Sequence, residues 1–136
     1  DIDASLPTRG LPEDAEAVTR SLSSRPSFLM VGTIEPRKAH LQVLAAFEEL
    51  WKMGLDVNLV VVGCEGWRSV PPEGRRNIPE TVQRLRSHAE LGGRLFWFEG
   101  VSDEYLDRIY ANSACLIAAS EDEGFGLPPL VHVRAI

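Results

Sequence analysis

Short apolar runs alternate with amphipathic stretches along this chain, and that alternation admits few folds. Residues 28–31, 57–62, 95–98 and 115–119 are nearly continuous runs of Val, Leu, Ile, Phe, Ala and Met. Each is too short for a buried helix and too uniformly apolar for a sheet with one wet face. Between the first two, Leu41, Leu44, Ala45, Phe47 and Trp51 recur at spacings of three and four, the stripe of a helix. Lys52 in its last turn and Gly54 beyond suit the negative end of the helix dipole and a left-handed cap. Further helices are expected near 80–90 and over 103–111, the latter with Ser102 as N-cap. The pattern predicts an α/β fold: a Rossmann-like parallel sheet with helices on both faces, truncated at its C-terminus.

The 136 residues allow one domain. Residues 1–27, with Pro7, Gly10, Pro12 and Pro26, read as lead-in or interdomain linker holding at most a short helix over 12–21, and residues 28–136 as the incomplete domain. Residues beyond 128 look like the start of a new helix, so the chain reads as a piece of something longer. A net charge of -6 argues against nucleic acid as a partner. No apolar run approaches the ~20 residues of a membrane span. Cys64 and Cys115 sit at the ends of apolar runs and read as buried free thiols of a reducing compartment. They make no zinc spacing with His40, His88 and His132, so no metal is expected. Nucleophile-elbow, P-loop and G-x-G-x-x-G patterns are also absent from the sequence.

Right-handed crossovers would bring the loops after Val31, Val62, Phe98 and Ala119 to the carboxyl edge of one sheet, where open α/β sheets bind ligands. The last loop carries Glu123-Gly124-Phe125-Gly126-Leu127-Pro128-Pro129. Its glycines permit close backbone approach, amides at a helix start favour an anion, and Glu123 accepts hydrogen bonds from hydroxyls. A ligand bearing both hydroxyls and phosphate, such as a sugar nucleotide, fits; an ordinary acidic helix cap has the same composition. The first loop brings Arg37 and Lys38 to the same edge, where the pair can neutralise a diphosphate or remain solvated. Glu35 offers itself as their partner, and Trp67, in the long polar stretch 63–79, as a lid or a cover for core.

From residue 28 to 130 the chain resembles the C-terminal, donor-binding domain of the retaining GT-B glycosyltransferases of family four, which include bacterial mannosyltransferases. The resemblance rests on Gly32-Thr33-Ile34-Glu35-Pro36-Arg37-Lys38, on Leu59-Val60-Val61-Val62-Gly63, on Gly100-Val101-Ser102-Asp103-Glu104-Tyr105-Leu106 and on Glu123-Gly124-Phe125-Gly126-Leu127-Pro128. It implies that Glu123 holds donor-sugar hydroxyls and that Gly124, Phe125, Gly126 and Leu127 touch sugar and diphosphate. Lys38 matches the family lysine that reaches the diphosphate. Thr33 stands where many members have arginine, and the resemblance implies Arg37, next to Lys38, as the replacement guanidinium. Gly32 completes that loop, while Gly100, Val101 and Leu106 correspond to contacts of the nucleotide base. At the position of a second family glutamate, which binds ribose hydroxyls, this chain has Val131, with His132 beside it.

The resemblance implies transfer of a hexose, mannose from GDP-mannose by the Glu-Pro-Arg-Lys loop, to a glycan or lipid-linked acceptor in polysaccharide synthesis. Lys38, Arg37 and Glu123 are the catalytic candidates, and the NDP-sugar is a substrate with neither cofactor nor metal. It also implies that the acceptor is bound mainly by an N-terminal domain outside this sequence, so that the fragment alone is inactive. The full protein would be cytoplasmic, with room for peripheral association at the inner face of the membrane. The contrasting expectation, motivated by Val131 and Thr33, is a scaffold or binding domain with a degenerate donor site.

Overall fold

A computed structural model describes residues 7–120 and 130–136. Helix α1 (Ala15–Ser23) precedes strand β1 (Ser27–Val31), α2 (His40–Lys52), β2 (Asn58–Val62), α3 (Ile78–Ser87), β3 (Leu95–Phe98), α4 (Asp103–Ala111), β4 (Cys115–Ser120) and β5 (Leu130–Ala135). The five strands form one sheet in the order β3-β2-β1-β4-β5. The first four are parallel, as expected.

Two cores confirm helices on both faces. On one face Met30, Leu59, Val61 and Ile117 meet Val43, Leu44, Phe47 and Trp51 of α2 and Ile78, Val82 and Leu85 of α3. On the other, Leu29, Val60, Val62 and Phe96 meet Ala15 and Leu22 of α1 and Tyr105 and Ile109 of α4. Alternate residues of β1 and β2 thus serve opposite cores, which is why their runs are continuously apolar. Each fully buried Leu or Val contributes about 1.5–3 kcal/mol. The stripe of α2 differs slightly from the sequence reading: His40, Val43, Leu44, Phe47 and Trp51 are buried, while Ala45 is exposed.

Several expectations are corrected. The short helix allowed within residues 1–27 is α1, which runs two residues further than read and is fixed by a polar knot at the start of the strands. The buried Asn58 amide donates to Ser21 O (3.2 Å) and Ser27 Oγ (3.0 Å), and Ser27 Oγ donates to Leu22 O (2.6 Å). Residues 130–135 are a strand and not the start of a helix: β5 pairs antiparallel with β4, matching Val131 with Ala119 and Val133 with Ile117. The alternation of Val131 and Val133 with His132 and Arg134 has the two-residue period of a strand, and β-branched side chains favour it. Helix α3 begins earlier than expected, with Pro79 in its first turn, and ends before His88, whose backbone is extended. Cys64 is exposed and Cys115 half-buried, so both thiols are free but neither is in the core. Helix α4 begins as read, Ser102 Oγ accepting from the Tyr105 amide at 3.0 Å. No helix among the described residues is long and apolar enough to cross a membrane.

At the carboxyl edge β1 and β2 end level, Val31 opposite Val62, and a glycine follows each. A Cβ on Gly63, whose φ is +152°, would lie 1.8 Å from Gly32 O. Gly63→Ala is therefore expected to destabilise the fold by at least about 2 kcal/mol, since a rare backbone conformation and a backbone collision act together. Gly100, where a Cβ meets nothing within 4 Å, supplies the control as Gly100→Ala. Equal urea midpoints for the two variants would refute the close approach.

Candidate functional site

The strand order reverses at β1: the chain moves outward through β2 and β3, then returns to place β4 on the other side. Ligands of open α/β sheets bind at such a switch point. Here the backbone opens it. The ladder between β1 and β4 covers only Phe28 with Cys115 and Leu29 with Leu116, against five pairs between β1 and β2. Beyond those two pairs lies a cleft of about 400 Å³. Met30 and Val31 of β1, residues 116–120 of β4, Tyr110 of α4, and Arg37, Lys38 and His40 line it.

The first loop delivers the cations. Pro36, Arg37 and Lys38 form a single 3₁₀ turn, and Ala39, in a left-handed conformation at φ 59°, turns the chain into α2. Lys38 then folds back over Gly32, where a Cβ would stand 2.7 Å from Nζ. Thr33 Oγ1 donates to Glu35 Oε2 at 2.8 Å, and Lys38 Nζ lies 3.4 Å from the same oxygen and 3.5 Å from Thr33 Oγ1. Trp67 Nε1 donates to Glu35 Oε1 at 3.4 Å. The Thr33 hydroxyl first, then Lys38 and Trp67, hold the Glu35 carboxyl below its ordinary value against the opposing effect of desolvation. Arg37 is exposed and makes no ion pair among the described residues.

The structure thus brings Lys38 and Arg37 to the cleft and sets Gly32 and Thr33 beside them. Glu123, Gly124, Phe125, Gly126 and Leu127 lie outside the described residues; the chain reaches them from Ser120, on the cleft wall. Gly100 is exposed, and Val101 and Leu106 are half-buried against the second core; none of the three lines the cleft. Val131 lies elsewhere, in an apolar groove with Phe28, Phe47 and Leu50. The long loop after β2 packs on the first loop and does not roof the cleft: Ile34 bridges Glu65, and Arg75 ties the loop to itself through Val70 O (2.6 Å), Arg68 O (2.9 Å) and Glu65 (3.3 Å). Among the described residues no group of three or more His, Cys, Asp or Glu could hold a metal ion.

Two cleft residues escaped the sequence reading. Tyr110 looked like one more residue of an amphipathic helix. His40, the first residue of α2, was weighed only as a zinc ligand, though its place one residue before a buried stripe was a signal. It is only 7% exposed, and burial first, with the charge of Lys38 second, pushes its pKa down to about 4 from 6.5.

Residues 13–130 match the family model described as Glycosyl transferases group 1. Two relatives, each a serotype-specific mannosyltransferase WbdA of Escherichia coli, are 49% identical to the chain over 128 residues, 94% of its length. The match covers 15% of one relative and 14% of the other, so the chain spans about one seventh of the curated relatives it matches. No solved structure gives a significant match.

Between pH 6.5 and 4 an unfolded chain binds a proton that the folded His40 refuses, so stability falls as pH drops through that window. Between pH 7.5 and 5 this amounts to about 2 kcal/mol. Glu35 and Glu90, both held below their ordinary values, also lose stability as pH falls, so the check is a difference. Urea denaturation should show a smaller acid loss in His40→Phe than in the unmutated protein, and equal losses would count against a buried neutral imidazole.

Proposed function

The chain belongs to the glycosyl transferases group 1 family, and from that premise we propose that it is the nucleotide-sugar-binding domain of a retaining hexosyltransferase. The donor is GDP-mannose or a close relative and the acceptor a glycan or lipid-linked sugar of polysaccharide synthesis, held mainly by another domain. The work is done in the cytoplasm, without a metal, and the full protein associates peripherally with the inner face of the membrane. The observation that carries this reading is the meeting of Arg37 and Lys38 with the carboxyl ends of β1 and β4 at the switch point. The printed names of the relatives support mannose as the sugar.

In such a transfer the bond between the anomeric carbon and the diphosphate oxygen breaks, and the acceptor oxygen takes its place on that carbon. Negative charge grows on the departing diphosphate. Cations fixed in a cleft stabilise that growing charge more than the ground state, which lowers the barrier. Lys38 is prepositioned by Gly32 and by its contact with Glu35; the exposed guanidinium of Arg37 is left to meet the ligand. Glu123, Gly124, Phe125, Gly126 and Leu127 keep their proposed role of holding the sugar, and Gly100, Val101 and Leu106 theirs at the base.

A scaffold with a degenerate donor site is the second reading, and Val131 favours it, because valine accepts no hydrogen bond from ribose. If Val131→Glu created sugar-nucleotide affinity where the unmutated chain has none, that reading would hold.

Calorimetric titration with GDP, UDP, GDP-mannose and UDP-glucose tests the first reading. Lys38→Ala should weaken nucleotide binding roughly tenfold to a hundredfold, the worth of a charge-assisted hydrogen bond. Glu123→Ala should weaken the sugar nucleotide but not the bare nucleotide. Absence of binding by all four ligands to folded protein would sink the donor-domain reading.

A further inference from the structure

Buried polar atoms are almost always satisfied, and each exception calls for a reason. Among the described residues one buried side-chain nitrogen or oxygen lacks a hydrogen-bond partner, Nδ1 of His40. The residue is more than nine-tenths buried, opens α2, and lines the same cleft as Arg37 and Lys38. Leucine or phenylalanine there would continue the apolar stripe of Val43, Leu44 and Phe47 without desolvating a nitrogen. The imidazole therefore costs the ligand-free fold stability that an apolar side chain would not.

Two neighbouring features define what completes it. The first-turn amides of a 13-residue helix have no carbonyl partners within the helix, which makes the entry to α2 hospitable to anionic oxygen. Lys38, two residues earlier, faces the same space and opposes a second positive charge beside it. Burial and Lys38 together keep the imidazole neutral at physiological pH. A neutral ring has one N–H donor and one acceptor nitrogen, so it meets an anionic oxygen by hydrogen bonding without adding to the cationic repulsion.

We propose that His40 is a donor-binding residue, whose imidazole hydrogen-bonds a phosphoryl oxygen of the nucleoside diphosphate held by Arg37 and Lys38. This deepens the donor-site reading above and rests on it. The residue acts by directional bonding, whereas the two cations act by charge, so it reads the position of the phosphate rather than its presence.

The test is binding of GDP and UDP to the full chain and to its His40→Phe and His40→Gln variants, with thermal unfolding of each in the absence of nucleotide. Phenylalanine keeps the volume and removes both nitrogens. The expected result is nucleotide affinity at least tenfold weaker in His40→Phe, with a melting temperature equal to or above that of the unmutated chain, and partial recovery of affinity in His40→Gln. A structural role would instead lower the melting temperature and leave affinity intact. Should His40→Phe bind as tightly as the unmutated chain while Lys38→Ala does not, the His40 assignment is wrong and the donor site stands. Should the unmutated chain bind neither nucleotide, the donor site itself fails. If the variants do not fold, the ¹⁵N shifts of the His40 ring in the unmutated chain decide: they move on saturation with nucleotide, and unmoved shifts overturn the proposal.

Discussion

The carboxyl edge of this sheet depends on one backbone contact, the approach of Gly63 to Gly32 O where β1 and β2 end level. Neither glycine has a side chain to hold the loops apart, so the loop after β2 lies directly against the loop after β1. That proximity lets Ile34 bridge Glu65, and lets Gly66 sit where a Cβ would be 2.7 Å from Ile34 O. It also brings Trp67 to Glu35. Glu35 in turn holds Thr33 and Lys38. The orientation of one cation is thus inherited from the absence of two methyl groups.

Charge is distributed with the same economy. Arg25, Arg75, Arg84 and Arg94 are each paired with a carboxylate, and Arg84 shares Glu48 with His88, whose Nε2 lies 2.8 Å from that carboxylate. Arg37 makes no ion pair among the described residues and stands where the sheet opens. In an acidic chain, an uncommitted cation inside a cleft concentrates anions locally even though the molecule as a whole repels them.

The strands and most helices were legible because their burial is written in periodicity. Residues 28–31 and 57–62 read as two-sided strands since both faces are in fact covered. Ser102 was legible as a cap because a hydroxyl before an acidic first turn has one strong use. β5 was not read: Pro128 and Pro129 announce a helix start locally and outweighed the short alternation of residues 131–134, while the antiparallel pairing with β4 is a tertiary effect. The place of Lys38 and Arg37 at the sheet edge was legible because loops after strands converge by topology. The missing partner of the His40 nitrogen was not legible, because it is a property of packing. Gly100, Val101 and Leu106 were offered by motif alone: Gly100 is exposed, and Val101 and Leu106 are half-buried against the second core.

The two-pair ladder between β1 and β4 has a consequence for how the molecule breathes. Strands β1 and β2 come together across one intervening helix, but β4 must wait for most of the chain before it can reach β1. The seam is both the longest-range pairing in the parallel part of the sheet and the shortest. Regions with few interstrand bonds open first in sub-global unfolding, so amide protons along the inner side of β4 should exchange with solvent sooner than those of fully buried β2. A ligand bridging the cleft would fasten two halves of the domain that the backbone itself joins loosely.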